Sequence, residues 1–590
     1  MKSIKIFVLF LCVVILLNAC NDNKEVEDKK PNIVVFLADD QGWGDISFNG
    51  NTNVATPNID KIGNEGASFD NFYVQAVCSP TRSEFLTGRY ASRSGVYSTS
   101  AGGERIDLDE TTIANIFQEA GYATGAFGKW HSGMQFPYHP NARGFEEFYG
   151  FCSGHWGNYF DPMLEQNGEI VKGSGFLADD IASEAINFIE ENKEELFLVY
   201  VPFNTPHSPM QVPEEYWSKF ENKDLELKSR PGDKEDVTFT KAALAMTENL
   251  DWNIGRVLQK LKELQLDENT IVIYFTDNGP NGNRWNGEMK GRKGSTDEGG
   301  VRSPLLVKWP NKIKKGLKIN QISGAIDLLP TLTSLADIEY SATKKLDGID
   351  LSHALFDINS EKPNRLIFNY WRDKLSVRNQ QYRLDNANGL YDMTVDRGQN
   401  KDLGDEFPSI KSELLKAKET YLNTVVGELP VKDLRTFPLG HPEEKITQIP
   451  ARDGVGHGNI VRSNKYPNCS FYTNWIDIED SITWDVEVLE SGNFEVMLYY
   501  TCAEGDEGSE IELSFGDSKV VTKIEEVFDT PLTGMEHDRI KRIESYVKEF
   551  KPVSMGVINL EKGEGQLKLK ALKKPGEKVV DVRLLLFKRV

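Results

Sequence analysis

The stretch from Val77 to Tyr90, which reads VCSPTRSEFLTGRY, holds the residues whose types and spacing best suit chemistry. It begins with a C-x-P-x-R pentad, in which Cys78 supplies a nucleophile and Arg82 follows four residues later. The residues after the pentad favour a helix, so Cys78 is predicted at a helix N-terminus, where free N–H groups stabilise negative charge. The alternative is a buried structural cysteine beside a proline turn, because free cysteine is among the most buried residue types.

Acidic and amide side chains follow two apolar runs that are typical of buried strands. PNIVVFLADD ends in Asp39 and Asp40, and the run from Thr270 to Phe275 leads to Asp277 and Asn278. Ligands of open α/β sheets collect at the carboxyl ends of parallel strands. Oxygen ligands of this kind suit a hard cation such as Ca²⁺ or Mg²⁺ and suit Zn²⁺ poorly. Taken singly, each residue is more typical of a turn or a helix cap.

The pentad and its Leu-Thr-Gly-Arg tail resemble the signature of the type I sulfatases, in the alkaline-phosphatase-like superfamily. In that family the cysteine is oxidised after translation to formylglycine, so the resemblance implies an aldehyde hydrate at Cys78. The likeness extends from Pro31 to Val425. It also implies one Ca²⁺ site, whose ligands would be Asp39, Asp40, Asp277, Asn278 and the modified Cys78.

The resemblance assigns roles to four cationic or imidazole side chains. GKWH matches the family's sulfate-binding lysine, Lys129, and its catalytic histidine, His131; His207 in TPHSP and Lys293 before E-G-G-x-R match a second pair. A sulfate ester is an anion, so positive charge must neutralise its oxygens before a nucleophile approaches. The implied reaction is attack of the formylglycine hydrate on sulfur, with a covalent sulfo-enzyme and release of the alcohol.

We assign the proton transfers of this reaction to the two histidines. His207 is expected to protonate the departing alcohol, with Lys293 as the competing candidate. His131 is expected to be the base that expels sulfate, because a neutral imidazole suits this task near pH 7. Arg82 would hold the formylglycine in place, and whether Asp39 or Asp277 tunes the nucleophile stays open.

Two loops are rich enough in aromatic and polar side chains to grip a sugar ring. SGHWGNYFDP contains His155, and NGNRWNGE contains Arg284. The alternative is that these side chains only pack their loops. The sequence departs from the family where Ser132 and Gly133 follow GKWH in place of Leu-Gly, which leaves the shape of the leaving-group side open.

Strands, reactive loops and helices alternate through the first part of the chain, which predicts an α/β fold with a mostly parallel central sheet flanked by helices. We place this catalytic domain at residues 31–360. Short strands and one helix predict a small antiparallel α+β subdomain at 361–435, and an aperiodic stretch with Pro and Gly predicts a linker at 436–458. Period-two alternation predicts a separate β-sandwich at 459–590.

The N-terminus has the pattern of a bacterial lipoprotein leader. A positively charged start precedes an apolar run from Ile6 to Leu17, too short for a stable membrane anchor. The LNAC sequence that follows resembles a lipobox, so we expect a signal peptide at residues 1–19, lipid on Cys20 and a tether at 20–30. This predicts an exported lipoprotein in the periplasm or at the cell surface, touching the membrane by its lipid anchor only. The alternative is an ordinary secretory signal with an incidental cysteine.

Composition limits the partners. The 590 residues are enough for about two to four folding units, and 68 Lys and Arg against 90 Asp and Glu give a net charge of −22. Nucleic acid is not expected as a partner, because neutralising phosphates needs clustered basic residues. An anionic substrate must therefore meet a local basic pocket. Cys469 and Cys502 remain as a candidate disulfide in an oxidising compartment.

Three functions fit these observations. The first is a sulfatase acting on a sulfated carbohydrate, matured by a formylglycine-generating enzyme or an anaerobic sulfatase-maturating enzyme. The second is a phosphomonoester or phosphonate hydrolase of the same superfamily, whose two-metal members need additional His and Asp ligands that this chain offers sparingly. The third is a catalytically inactive glycan-binding lipoprotein in which Cys78 stays a thiol.

Overall fold

The computed structural model describes residues 29–357 and 363–590. The predicted signal peptide, the lipidation residue Cys20 and most of the tether lie outside the described residues and stay predictions. In the part of the chain that is described, no helix combines the length and the apolar character needed to cross a membrane.

The α/β domain is built on an eleven-stranded sheet. Strands β1–β11 are Asn32–Ala38, Ala67–Tyr73, Ala123–Lys129, Glu147–Phe151, Met163–Gln166, Glu169–Lys172, Phe197–Pro202, Thr270–Thr276, Arg302–Lys308, Leu317–Ile319 and Ser323–Gly324. Their order is β10-β2-β9-β8-β1-β7-β3-β4-β5-β6, with β11 beside β2. Neighbours from β8 to β4 run parallel, whereas β9 and β5 run antiparallel to theirs. The predicted mostly parallel sheet is confirmed.

Helices cover both faces of this sheet. Strand β1 shows why, since all seven of its residues are buried and alternate residues belong to two different hydrophobic clusters. Such a strand reads as a continuous apolar run in the sequence. The helices α1–α9 are Pro57–Glu65, Cys78–Thr87, Ile113–Glu119, Leu177–Glu191, Glu214–Phe220, Val237–Glu263, Glu298–Val301, Leu328–Leu335 and Ser352–Phe356. Of these, α2, α3 and α8 pack on one face and α1, α4 and α6 on the other.

A four-stranded antiparallel sheet and one helix form the subdomain that follows, as predicted. Strands β12–β15 are Ile367–Trp371, Lys374–Arg378, Tyr382–Leu384 and Leu390–Asp392, and helix α10 is Pro408–Thr424. A buried carboxylate ties the subdomain to the central sheet: Glu298 Oε1 lies 2.6 Å from Nη1 of Arg302 on β9 and 3.1 Å from Nη1 of Arg378 on β13. The two sheets therefore share one buried ionic cluster.

The C-terminal part of the chain is a β-sandwich of two six-stranded sheets around one hydrophobic core. Strands β16–β27 are Phe437–Leu439, Ile446–Pro450, Val455–His457, Val461–Arg462, Tyr472–Thr473, Ser481–Val488, Gly492–Thr501, Glu510–Phe515, Ser518–Lys523, Lys551–Leu560, Gly563–Lys573 and Asp581–Arg589. One sheet has the order β16-β21-β26-β23-β24 with β18 beside β21, and the other β19-β20-β27-β22-β25 with β17 beside β27.

The predicted linker at residues 436–458 is wrong. Three strands, β16, β17 and β18, lie inside it and pair with β21 and β27, so the sandwich begins near Phe437 and not at residue 459. These strands have three to five residues each, too few to show the period-two alternation by which strands are recognised in a sequence.

Candidate active site

Neighbouring parallel strands deliver polar side chains to one edge of the central sheet. Strands β8, β1, β7 and β3 lie side by side and point the same way, so their carboxyl ends meet. Asp39 and Asp40 follow β1, Asp277 and Asn278 follow β8, and Lys129 ends β3. The fold thus brings together five side chains that the sequence scatters over more than half of the α/β domain.

Cys78 reaches the same place from a helix. It is the first residue of α2 and only 3% exposed, and its Sγ lies with carboxylate oxygens of Asp39 and Asp277 in a group whose atoms are all within 4.8 Å of one another. Burial raises the pKa of the Cys78 thiol. An unmodified Cys78 would therefore be a poor nucleophile, because the reactive form of cysteine is the thiolate.

Arg82 lies one helical turn beyond Cys78 and is fully buried. Its Nη2 donates to Asp277 Oδ2 at 2.9 Å, and its Nη1 donates to the backbone carbonyl of Lys129 at 2.7 Å. The guanidinium thereby fixes the carboxylate after β8 against the end of β3, and it adds a permanent positive charge to the site.

Two ammonium groups face the aspartates that follow β1. Lys129 Nζ lies 2.7 Å from Asp39 Oδ2, and Lys293 Nζ lies 2.6 Å from Asp40 Oδ1. Burial opposes the ionisation of Asp40, but the charges of His207 and Lys293 outweigh it and hold the Asp40 pKa below its usual range. Asp40 also has a left-handed backbone with φ of 63°, an uncommon and mildly strained conformation for a residue other than glycine.

The residues present fit a bound cation. Among the described residues, the buried atoms Asp39 Oδ1 and Asn278 Oδ1 have no hydrogen-bond partner. Burial, and then repulsion from Asp39, raise the pKa of Asp277 to about 7, so a further positive charge beside it would favour its ionised form. Free oxygen atoms among crowded carboxylates are the ligands that a hard divalent cation needs.

His131 has an unprotonated ring nitrogen that can act as a base. Its Nε2 lies 2.9 Å from the carbonyl oxygen of Thr99, which can only accept, so Nε2 carries the proton and Nδ1 is bare. Nδ1 is buried and has no hydrogen-bond partner in the described part of the chain. Burial, and then the charge of Lys129, lower the pKa of His131 well below its usual 6.5. The ring is held neutral, with a backbone φ of 59°.

His207 and His155 form a stacked pair, with ring centroids 5.7 Å apart and planes 15° apart. His207 Nδ1 donates to the carbonyl of Ser208 at 2.5 Å, so its Nε2 faces Asp40 Oδ2 at 3.5 Å. Burial lowers the pKa of His207 to about 4. His155 is 6% exposed, and burial likewise lowers its pKa well below 6.5.

Arg284, predicted to contact a sugar, has a different role. Its Nε and Nη2 bind the two carboxylate oxygens of Asp45 at 2.7 and 2.6 Å, and Nη2 also donates to the backbone carbonyl of Asp40 at 3.1 Å. The side chain is 4% exposed. Because these bonds, with one from Nη1 to the carbonyl of Asn281, engage every nitrogen of the guanidinium, Arg284 supports the loop after β1 and the sugar contact is not supported.

Two further features correct or extend the sequence analysis. Cys469 and Cys502 are both free thiols, so the candidate disulfide between them is absent. Sequence reasoning also missed Asn468 of the sandwich, whose side chain contacts the backbone of Gly154 at 3.3 Å and the ring of His155 at 3.4 Å. No local signal points to Asn468, because it meets these partners across 314 and 313 residues of chain.

A second cluster of potential ligands, His139, Cys152 and Glu165, lies buried away from this site. His139 Nδ1 accepts a hydrogen bond from the backbone of Asn141 at 3.2 Å, so Nε2 carries the proton and donates to Glu165. A metal-bound histidine normally donates through its other nitrogen. The cluster is therefore a hydrogen-bonded pair beside a buried thiol.

Comparison with known proteins agrees with this site. A sequence model of the family described as Sulfatase matches residues 31–338. The chain is 29% identical over 377 residues to the N-acetylgalactosamine-6-sulfatase of Mus musculus, covering 58% of this chain and 68% of the relative. It is 31% identical over 401 residues to arylsulfatase G of Rattus norvegicus, covering 58% and 72%.

Solved structures extend the likeness. The crystal structure of Ps i-CgsB superposes with a TM-score of 0.60 at 30% identity, covering 67% of this chain and 93% of that one. A structure of Ps i-CgsB in complex with k-i-k-neocarrahexaose gives a TM-score of 0.61 at 29% identity, with the same coverage. The α/β sheet, the site and these likenesses define an alkaline-phosphatase-like hydrolase fold, and the chain belongs to the sulfatase family. It is a sulfuric ester hydrolase.

Proposed function

We propose that the protein removes sulfate from a sulfated carbohydrate, using Cys78 converted to formylglycine and a bound Ca²⁺. The observation that carries this proposal is the group formed by Cys78 Sγ and the carboxylates of Asp39 and Asp277, within 4.8 Å of one another. Two ammonium groups and one guanidinium face these two carboxylates and that of the neighbouring Asp40. A nucleophile position, cation ligands and positive charge in one buried place are what hydrolysis of an anionic ester requires.

The chain's own cations bind and orient the substrate. Lys129 is fully buried, whereas the Lys293 side chain is 20% exposed, so one ammonium closes the base of the site and the other reaches its opening. Both would pair with sulfate oxygens and lower the repulsion between the ester and the aspartates. Arg82 holds Asp277 next to the end of β3 through its two hydrogen bonds.

The proposed site needs two groups that the twenty standard amino acids do not provide, a modified residue and a metal ion. Formylglycine at position 78 would supply, as its hydrate, the hydroxyl that attacks sulfur. Ca²⁺ would supply additional charge to neutralise the sulfate oxygens. Its ligands would be oxygens of Asp39, Asp40, Asp277 and Asn278, with residue 78. The bare oxygens Asp39 Oδ1 and Asn278 Oδ1 support this assignment, and an all-oxygen set favours a hard cation over zinc.

Proton transfer falls to the two histidines. The bare Nδ1 of His131 makes it the base, because the bond to Thr99 already occupies Nε2 and burial keeps the ring neutral. His207 would hold a proton on Nε2 for the leaving alcohol once an anion is bound. Lys293, whose pKa Asp40 raises despite burial, remains the competing acid. Because its ring stacks on that of His207, His155 would lie beside the leaving-group part of the substrate.

The substrate class rests on the relatives. An N-acetylgalactosamine-6-sulfatase and a protein crystallised with k-i-k-neocarrahexaose both align with this chain at about 30% identity. Their names support a sulfated carbohydrate as substrate here. Export as a lipoprotein, anchored through Cys20, and maturation by a formylglycine-generating or anaerobic sulfatase-maturating enzyme complete the proposal, and both rest on the sequence.

The test is sulfate release from a panel of defined sulfated mono- and disaccharides, using protein produced together with a maturation enzyme. Wild type should release sulfate, and Cys78→Ala should release none. Cys152→Ala is the matched control, because Cys152 is also buried but its thiol lies with His139 and Glu165 and not with Asp39 and Asp277. Mass analysis of the peptide containing residue 78 should show the aldehyde. Release of phosphate but not sulfate from matched esters would overturn the proposal, as would turnover by an unmodified thiol.

A further inference from the structure

The β-sandwich holds the two loops that carry His155 and His207. Cys469 Sγ donates to the carbonyl of His155 at 3.0 Å, and the backbone N–H of Arg539 donates to the carbonyl of Met210 at 2.9 Å. Both donors belong to the sandwich and both acceptors to loops of the α/β domain. The appended domain is therefore in direct contact with the rim of the candidate active site.

Asn468 makes the contact that bears on chemistry. The backbone N–H of Gly154 lies 3.3 Å from Asn468 Oδ1. Because a backbone N–H can only donate, the atom that faces it must be the amide oxygen, and the other amide atom is Nδ2. Nδ2 lies 3.4 Å from Nδ1 of His155. One backbone hydrogen bond thus fixes the orientation of the whole amide.

The orientation of this amide fixes the tautomer of His155. An amide NH₂ only donates, so Nδ1 of His155 accepts and the proton of the neutral ring is on Nε2. Nε2 is buried and, among the residues that the structure describes, has no hydrogen-bond partner. The ring is stacked on His207. His155 therefore offers an unused N–H donor next to the histidine proposed as the acid.

The space around Gly154 shows how tightly these groups are assembled. A Cβ at this position would lie 2.6 Å from both Asn468 Nδ2 and His131 Nε2. Contacts that close do not occur between real side-chain atoms, so glycine leaves room here for both the amide of the sandwich and the ring of His131. The amide of Asn468 and the ring of His131 thus both lie against Gly154, the residue that precedes His155.

We propose that Asn468 is a positioning residue of the active site, which holds His155 as the Nε2–H tautomer so that it donates a hydrogen bond to an oxygen of the bound sulfate ester on its leaving-group side. The active site is then composed of two domains. This inference rests on the proposed sulfatase function for its substrate. The family model matches residues 31–338, so Asn468 lies outside the part of the chain that this model describes.

Asn468→Asp tests the tautomer directly. Aspartate has the shape of asparagine and still accepts from Gly154, but it cannot donate, so it favours a proton on Nδ1 of His155 and removes the donor at Nε2. We expect kcat/KM for the sulfated sugar to fall by about tenfold or more, with an unchanged melting temperature. Asn464→Asp, in the same loop and bonded only within the sandwich, adds the same charge and should stay within about twofold.

A double-mutant cycle separates positioning from a general effect of the charge. In a His155→Ala background, Asn468→Asp should cause no further loss, because the ring through which Asn468 acts is gone. Equal losses in the two backgrounds would overturn the proposal, and so would a wild-type rate for Asn468→Asp. If both single variants lose activity through misfolding, the melting temperature reveals it, and Asn468→Gln and His155→Gln then replace them in the cycle.

Nitrogen NMR of protein with ¹⁵N-labelled histidine tests the inference without any activity. The chain has 8 histidines, so His155 is assigned by its absence in His155→Ala. Wild type should show His155 protonated at Nε2 and unprotonated at Nδ1, and Asn468→Asp should show a proton at Nδ1. A wild-type proton at Nδ1 would overturn the inference even if the enzyme is an active sulfatase. The expected tautomer without sulfate release would instead overturn the proposed function and leave the positioning role standing.

Discussion

Arg82 and Asp277 form an ion pair with 2.9 Å between Nη2 and Oδ2, and neither side chain is exposed to solvent. The same guanidinium donates to the carbonyl of Lys129. A pair of this kind joins a helix, the strand β8 and the strand β3 at the point where catalysis is proposed. Its removal therefore affects both the stability of the fold and the placement of the site.

Arg82→Met is expected to lower the free energy of unfolding by about 3–5 kcal/mol, because it leaves the buried charge of Asp277 without its partner. Urea denaturation measures this loss. Arg397→Met is the matched control, since the Arg397 and Asp70 side chains are each 38% exposed and an exposed pair contributes about 0–1 kcal/mol. Equal losses in the two variants would contradict a special role for the buried pair.

Cation binding should be visible as thermal stabilisation. Crowded carboxylates, with the pKa of Asp277 raised to about 7, are relieved by a divalent ion, so Ca²⁺ should raise the melting temperature of chelator-treated protein. At one hundred times its Kd, a ligand contributes about 2.7 kcal/mol. Asp277→Asn should abolish most of the shift, whereas Asp161→Asn, at an exposed position, should keep it. The same shift in both variants would place the ion elsewhere.

The sequence predicted the core of the site because two independent signals agreed there. Asp39 and Asp277 follow apolar runs whose length and composition are those of buried parallel strands, and the C-x-P-x-R signature fixes Cys78. Parallel strand ends meet at one edge of a sheet, so the alternation of apolar runs and helices places the two carboxylates together, and the resemblance places Cys78 beside them. The structure brings these residues together.

Other features were beyond reach of the sequence for physical reasons. Arg284 and Asp45 form their salt bridge across 239 residues, and nothing local shows that the guanidinium is already used. Asn468 meets His155 only because the sandwich docks on the loop after β4. The strand Phe437–Leu439 has three residues and is held by pairing with β21, so tertiary contacts and not pattern determine it. Contacts between residues far apart in the chain were the part that the sequence did not predict.

The pH dependence of turnover should reflect the lowered pKa of His131. A base loses activity when it is protonated, so activity falls as pH drops through its pKa. Because burial and Lys129 place that pKa well below 6.5, kcat should hold through pH 6.5 and fall only at lower pH. His131→Asn should lose about 10²–10⁴-fold in kcat. His353→Asn, at an exposed position, is the control. A pH profile of kcat with its midpoint near pH 6.5 in wild type would contradict the assignment.

Leaving-group dependence should separate His207 from Lys293. An acid matters most when the departing alcohol is poorly acidic, so His207→Ala should lower kcat/KM for a sugar sulfate far more than for 4-nitrophenyl sulfate. Lys293→Ala should lower both to a similar extent, because its ammonium is proposed to bind the sulfate group that the two substrates share. The reverse pattern would assign the acid to Lys293, whose pKa is raised through its contact with Asp40.

A buried carboxyl where the sandwich meets the α/β domain should make the folded protein less stable as pH rises. Burial, with repulsion from Glu165 of β5, raises the pKa of Glu444 to about 8, against an ordinary 4.5. A carboxyl that stays protonated in the folded state while it ionises in the unfolded state costs stability as pH rises from 4.5 to about 8, and no more beyond. The full cost is no more than about 5 kcal/mol, since each unit of pKa shift corresponds to about 1.4 kcal/mol.

Glu444→Gln removes this titration while keeping the shape of the side chain and its contact with Thr447. The variant should match wild type in melting temperature near pH 4.5 and exceed it by a margin that widens up to about pH 8 and then stays constant. Glu443→Gln, at the exposed neighbouring position, should follow wild type at every pH. A margin that is flat across this range, or that shrinks as pH rises, would show that Glu444 is ionised in the folded protein and that Glu165 does not constrain it.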